Sequence, residues 1–180
     1  MKRICIDARF YGITHTGIGR YAQNLVLNLP KSEDVGVVLI AGKDCADEAR
    51  LSGYKVYETK YHPYSIMSQL EMPLLLNKIG PDLVHFTHFF VPVFWFGKYI
   101  VTIHDLIKHE SMGLSVTTRN PAVYWVKNLG YRFTVWLAVV RAQKIIVPAN
   151  YWKDRISAEY SLNKDQIEVT YEGVSHEFAA

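Results

Sequence analysis

Shortages bound this sequence more tightly than its excesses do. It has two cysteines, Cys5 and Cys45, and no C-x-x-C pair. That excludes a disulfide framework and a cysteine-built zinc finger, and it fits a reducing compartment. Cys5 lies in a strand-like stretch and reads as a buried structural thiol. No apolar run nears the roughly 20 residues of a membrane-spanning helix. Asp7 and Arg9 break the first apolar stretch, so the start of the chain has no secretory signal pattern. No charge of one sign dominates. The net charge of +3 is too small to argue for nucleic acid, which is not an expected partner. Repeats, low-complexity tracts and linker-like stretches are also lacking. A cytoplasmic location is expected, with the inner face of a membrane as a contact still open.

What is present is globular. The chain has 180 residues, 49% of them hydrophobic, enough for one domain with a core of its own. Strand and helix signals alternate. Strands are expected at 3–8, 35–40, 55–58, 83–86, 99–103, 145–147 and 167–171. Helices are expected at 17–29, 65–79 (kinked or restarted at Pro73), 120–142 and 150–160. The run Val35 to Ile40 is apolar without alternation, as in a parallel strand buried on both faces. This pattern predicts an α/β fold: a single Rossmann-like domain, its sheet mostly parallel, with helices on both faces.

The first strand runs through Gly12 and the Thr16-Gly17-Ile18-Gly19-Arg20 turn into a helix. Backbone N–H groups and the helix dipole at such a junction favour an anion, and glycines let it come close. Gly17 and Gly19 are candidate backbone donors to a phosphate or sugar, with Arg20 as a charge partner. The same residues satisfy a degenerate G-x-G-x-x-A dinucleotide fingerprint. In that reading Asp44 would be the acidic ribose partner, although the loop is wide and Asp44 falls late. A purely structural turn is the third reading.

His104 and Asp105 stand at the carboxyl end of an apolar strand, where open α/β sheets hold ligands. Either ring nitrogen of His104 could bond a sugar hydroxyl. Asp105 is expected to support the loop. His85 and His88 form H-x-x-H, but on a strand exit they should diverge, and no third ligand is near; no metal site is expected. No nucleophile elbow suggests a hydrolase. Residues 86–96 hold six aromatics, and segment 120–142 has only a narrow polar stripe that includes Lys127 and Arg141. Both read as core and cleft wall, or as a surface for a partner, a second copy of the chain or a lipid layer.

Four stretches together resemble a known family. Ile6-Asp7-Ala8-Arg9-Phe10-Tyr11-Gly12 with Thr16-Gly17-Ile18-Gly19-Arg20-Tyr21 is similar to the opening of glycosyltransferase family 4, enzymes of the GT-B fold. Pro81-Asp82-Leu83-Val84-His85-Phe86 and Val101-Thr102-Ile103-His104-Asp105-Leu106 resemble its middle. Lys144-Ile145-Ile146-Val147-Pro148 and Glu168-Val169-Thr170-Tyr171-Glu172-Gly173-Val174 resemble the end of its first domain.

The resemblance covers residues 1–178 as the N-terminal, acceptor-side half of a two-domain enzyme. It implies transfer from a nucleotide-sugar donor with retention, without cofactor or metal, and with His104 facing the transferred sugar. It also implies that the nucleotide-sugar domain, with its Glu-x7-Glu motif and diphosphate-clamping basic residues, lies outside these residues. Activity is then expected only when that domain or a separate chain completes the cleft. The rival from another class is a non-catalytic interaction module derived from a half enzyme.

Overall fold

The computed structural model describes residues 1–30, 32–106 and 121–173. Seven strands form one sheet: β1 Lys2–Asp7, β2 Val35–Gly42, β3 Lys55–Thr59, β4 Leu83–Phe86, β5 Tyr99–Thr102, β6 Lys144–Val147 and β7 Ile167–Val169. Five α-helices are described: α1 Thr16–Leu27, α2 Ala46–Arg50, α3 Ile66–Ile79, α4 Pro121–Val140 and α5 Asn150–Tyr160. Short 3-10 turns occupy Ile13–His15 and Lys164–Gln166. Arg119, Asn120 and Val174 lie outside the described residues.

The strand order is β3-β2-β1-β4-β5-β6-β7, and every pairing is parallel. The expected mostly parallel, Rossmann-like sheet is thus found. Alternation along the central strands splits the core in two. Ile6, Leu39 and Ala41 face Val26 of α1 and Ala46 and Ala49 of α2. Cys5, Val38, Ile40, Val84 and Val101 face Met72 and Leu76 of α3, Ala138 of α4 and Ile156 of α5. Helices therefore cover both faces. Both cysteines are buried, free thiols.

The chain order places the site. It builds outward from β1 to β2 and β3, then crosses by α3 to β4 on the other side of β1. The order reverses between β1 and β4, and a crevice opens beyond their carboxyl ends at such a point.

Some elements differ in detail from the sequence reading. Pro73 is buried inside α3 and neither ends it nor starts a second helix. That helix is instead closed at its ends, by the Ser65 hydroxyl accepting from the Ser68 N–H and by Gly80 at φ +62. The five-residue α2 was not expected. The helix α1 buries Gly19, Ala22 and Val26, with Leu25 and Leu29 partly buried against the same core.

The aromatic run also divides. Phe86 and Trp95 are core, whereas Phe94 and Phe96 are exposed. Arg141 turns back to donate to the Val93 and Trp95 carbonyls, with its guanidinium over the Phe96 ring. It is therefore not part of a solvent-facing basic stripe. Trp125, Leu129, Phe133, Trp136 and Val140 leave an exposed apolar ridge on α4. Among the described residues, no helix is long and apolar enough to cross a membrane.

Candidate active site at the strand exits

The carboxyl end of β1 carries a buried charge pair. Arg9 donates from Nε to Asp7 Oδ1 and from Nη2 to Asp7 Oδ2, each at 2.7 Å. Its remaining nitrogen, Nη1, reaches the Ser68 hydroxyl of α3 at 2.7 Å, and Nη2 also approaches the Phe90 carbonyl at 3.5 Å. The Thr87 hydroxyl donates to the Asp7 carbonyl at 2.7 Å. One guanidinium thus ties β1, α3 and the loop after β4 together. In the sequence, Asp7 and Arg9 only interrupt an apolar stretch. Their interlocking is a tertiary fact.

The loop after β1 then turns at Gly12, at φ +95, and enters α1 through Thr16, at φ +60. A β-branched residue rarely holds a positive φ, so Thr16 is strained where the helix begins. No side chain caps α1, and its first turn holds no acidic residue. An uncapped helix start with a positive dipole end is suited to an anion. Gly17 is exposed there, and Arg20 is exposed one turn along. Gly19 is buried instead. A Cβ on it would stand 2.0 Å from the Gly12 carbonyl oxygen and 2.6 Å from that of Phe10. Its glycine is demanded by the loop folding over the helix.

His104 follows β5 and meets this helix. Its ring packs edge-on against Tyr21 of α1, with centroids 4.7 Å apart. Nε2 lies 3.0 Å from the Thr87 carbonyl oxygen, and Nδ1 lies 3.1 Å from Glu172 Oε1. A carbonyl oxygen only accepts, so Nε2 carries a proton toward Thr87. The Glu172 contact is an ion pair when the ring is doubly protonated. Both nitrogens are thus engaged by the chain itself. The Glu172 side is the more open one, its side chain being half exposed.

Beneath this ring lies a chain of neutral polar groups. The Thr102 hydroxyl is 2.9 Å from Tyr21 Oη and 2.8 Å from His85 Nε2. Burial pushes the Tyr21 hydroxyl above its ordinary value. Burial also pulls His85 down to about 4, with Asp7 opposing and His104 reinforcing the shift. His85 therefore stays neutral near pH 7 and serves as a hydrogen-bonding base plate.

That depressed value has a pH consequence. Between about pH 6.5 and about pH 4 the unfolded chain takes up a proton that native His85 refuses, so stability falls as pH drops through that window. His85→Gln is expected to lose less stability than the unaltered chain between about pH 7 and about pH 5, read by urea unfolding. Equal losses would refute the role of His85.

Of the residues expected from sequence, the structure brings His104 beside the first turns of α1, which carry Gly17 and Arg20. Asp105 is exposed next to His104, and its charge raises the Tyr64 and Tyr131 hydroxyls after burial has done so. His85 and His88 do diverge: His85 bonds Thr102, and His88 Nε2 lies 3.3 Å from Tyr64 Oη. Tyr21, Thr87, Thr102, Glu172 and the polar role of His85 were not singled out. Their partners are up to 81 residues away in the chain. The available signal was the strand-exit position of Thr102 and Thr87, the same one that marked His104.

Comparison with known proteins gives one family and several structures of similar fold. The profile described as Glycosyltransferase Family 4 matches residues 15–178. No curated protein matches this chain. Among solved structures, it is similar to Anabaena HepE in complex with UDP and glucose, at 15% identity and a TM-score of 0.59, covering 97% of this chain and 45% of that one. It is also similar to the lipopolysaccharide outer core galactosyltransferase WaaB in its apo form, at 15% identity and a TM-score of 0.55, covering 97% of this chain and 46% of that one. A glycosyltransferase from Rickettsia africae is similar at 15% identity and a TM-score of 0.50, covering 96% of this chain and 43% of that one. At this identity the likeness is one of fold. The chain spans less than half the length of these three structures.

Proposed function

Because this chain belongs to glycosyltransferase family 4, we propose that it forms the acceptor-side half of a nucleotide-sugar-dependent glycosyltransferase. Transfer proceeds with retention and without a metal or cofactor in the reaction. The observation that carries this reading is the meeting of an uncapped helix start with a strand-exit histidine, through the Tyr21–His104 contact at 4.7 Å. The helix start suits a phosphate, and the histidine suits a hydroxyl. In this proposal the Gly17 backbone and the α1 dipole hold an anionic group, with Arg20 as its counter-charge. A sugar hydroxyl competes with Glu172 for the Nδ1 edge of His104. Asp105 supports the exit loop. Gly19 acts by letting the loop close, in place of the donor role expected for it.

The leaving diphosphate needs preorganised positive charge, usually the largest catalytic contribution. We assign that to a second domain facing this one. The 180 residues alone are therefore expected to bind a nucleotide sugar weakly and to give no multiple turnover. Amide shifts on adding UDP-glucose should cluster at Gly17, Arg20 and His104, and His104→Ala should remove most of them. Shifts clustered elsewhere, or robust turnover by these residues alone, would overturn the proposal. The exposed ridge of α4 extends the same reading to a peripheral membrane contact or a homodimer. Liposome sedimentation and light scattering on the same preparation read it directly.

A further inference from the structure

We propose that His15, Asp44 and Cys45 form a zinc site that fastens the glycine turn to the turn after β2. This inference is independent of the glycosyl-transfer reading and lies outside that reaction. Parallel pairing sets Asp7 of β1 beside Ile40 of β2, so the two strands release their exit loops side by side. Gly12 turns the first loop back, and the 3-10 turn Ile13–His15 brings the His15 ring over the second. His15 Nε2 then lies 3.3 Å from Asp44 Oδ2, and the ligand atoms of all three residues lie within 4.8 Å of one another.

The corner is rich in lone pairs. His15 Nε2 is shut from solvent and, apart from the 3.3 Å approach of Asp44 Oδ2, has no hydrogen-bond partner among the described residues. The Cys45 sulfur is 3.6–3.7 Å from three carbonyl oxygens, those of Ala8, Arg9 and Gly42. A thiol has one proton and can satisfy one of them. The Asp44 and Glu48 carboxylates add negative charge at the same sulfur, which the Gly42 and Tyr11 backbones also reach by hydrogen bond. A cation would reverse this imbalance.

One imidazole, one carboxylate and one thiol make a mixed, borderline-soft donor set, and that set favours zinc over magnesium or calcium. Tetrahedral zinc holds its ligands about 3.5 Å apart. The His15–Asp44 pair already has that spacing. The span to sulfur closes by a small rotation, as the thiol proton leaves to solvent and the Zn–S bond forms. Bound zinc would pin the loop that leads into α1.

The test uses the untagged, reduced 180-residue chain and two metals. Cobalt(II) should give a thiolate-to-cobalt charge-transfer band that saturates at one ion per chain and is bleached by zinc. Cys45→Ser should abolish the band. Asp44→Asn changes an exposed side chain, leaves the fold in place, and should weaken zinc at least about tenfold, as should His15→Gln. Circular dichroism checks the fold of each variant. A missing band, a band that survives Cys45→Ser, or zinc affinity unchanged in both Asp44→Asn and His15→Gln would overturn the proposal.

Discussion

Gly19→Ala is expected to destabilise the chain by about 2–3 kcal/mol, while Gly17→Ala leaves it unharmed or slightly more stable. The two glycines sit two residues apart in the same helix turn, and only their surroundings differ. A Cβ at position 19 would meet the Gly12 and Phe10 carbonyl oxygens at 2.0 and 2.6 Å. Both are backbone atoms, which cannot swing aside as a side chain would. The loop over α1 must lift, losing the contacts that close it. A Cβ at position 17 meets nothing within 4 Å. There the substitution only replaces the poorest ordinary helix former with the best, a gain of up to about 1 kcal/mol. Urea unfolding of both variants decides it. Equal stability of the two would mean that the loop does not rest on Gly19.

The second large effect is expected at Arg9. Arg9→Ala should cost about 3–5 kcal/mol, a large part of the total stability of a domain this size. The guanidinium is fully enclosed, and its side chain is 2% exposed against 7% for its Asp7 partner. Removing it strands a carboxylate away from water and leaves the Ser68 hydroxyl without its partner. Arg9→Lys should recover little of the loss. An ammonium offers one point of charge where the structure uses a planar fork to Asp7, with a third nitrogen to Ser68. Replacing both partners by apolar residues of similar volume should cost far less than either single change. A double-mutant cycle by chemical unfolding measures this. A loss below about 1 kcal/mol for Arg9→Ala would show that the pair is dispensable.

The sheet was readable because several of its strands are apolar runs, of which Val35–Ile40 is the clearest. Strands buried on both faces carry no other pattern. The helix α2 was missed because five residues are too few to show a period. The close packing of Gly19 in α1 was not readable, because glycine is silent in a hydrophobic pattern. The aromatic run 86–96 could not be divided in advance, since loop residues have no periodicity to separate Trp95 inside from Phe96 outside.

The site was legible in part for a similar reason. The strand-exit position marked His104 without any contact being known. Glu172, 68 residues further along, pairs with that ring only through the fold. The three carbonyls around Cys45 are equally unreadable, because they come from the exits of two different strands.

The ring of His104 is held on three sides, by the edge of Tyr21, the Thr87 carbonyl and the Glu172 carboxylate. Its torsions are therefore settled when the chain folds. A side chain that must be stilled on association typically takes about 0.5–1.5 kcal/mol out of the affinity. In the proposed site that entropy is surrendered at folding, and an arriving hydroxyl would find the imidazole already at rest. The ordering loss falls on the stability of the domain and not on the grip of the site.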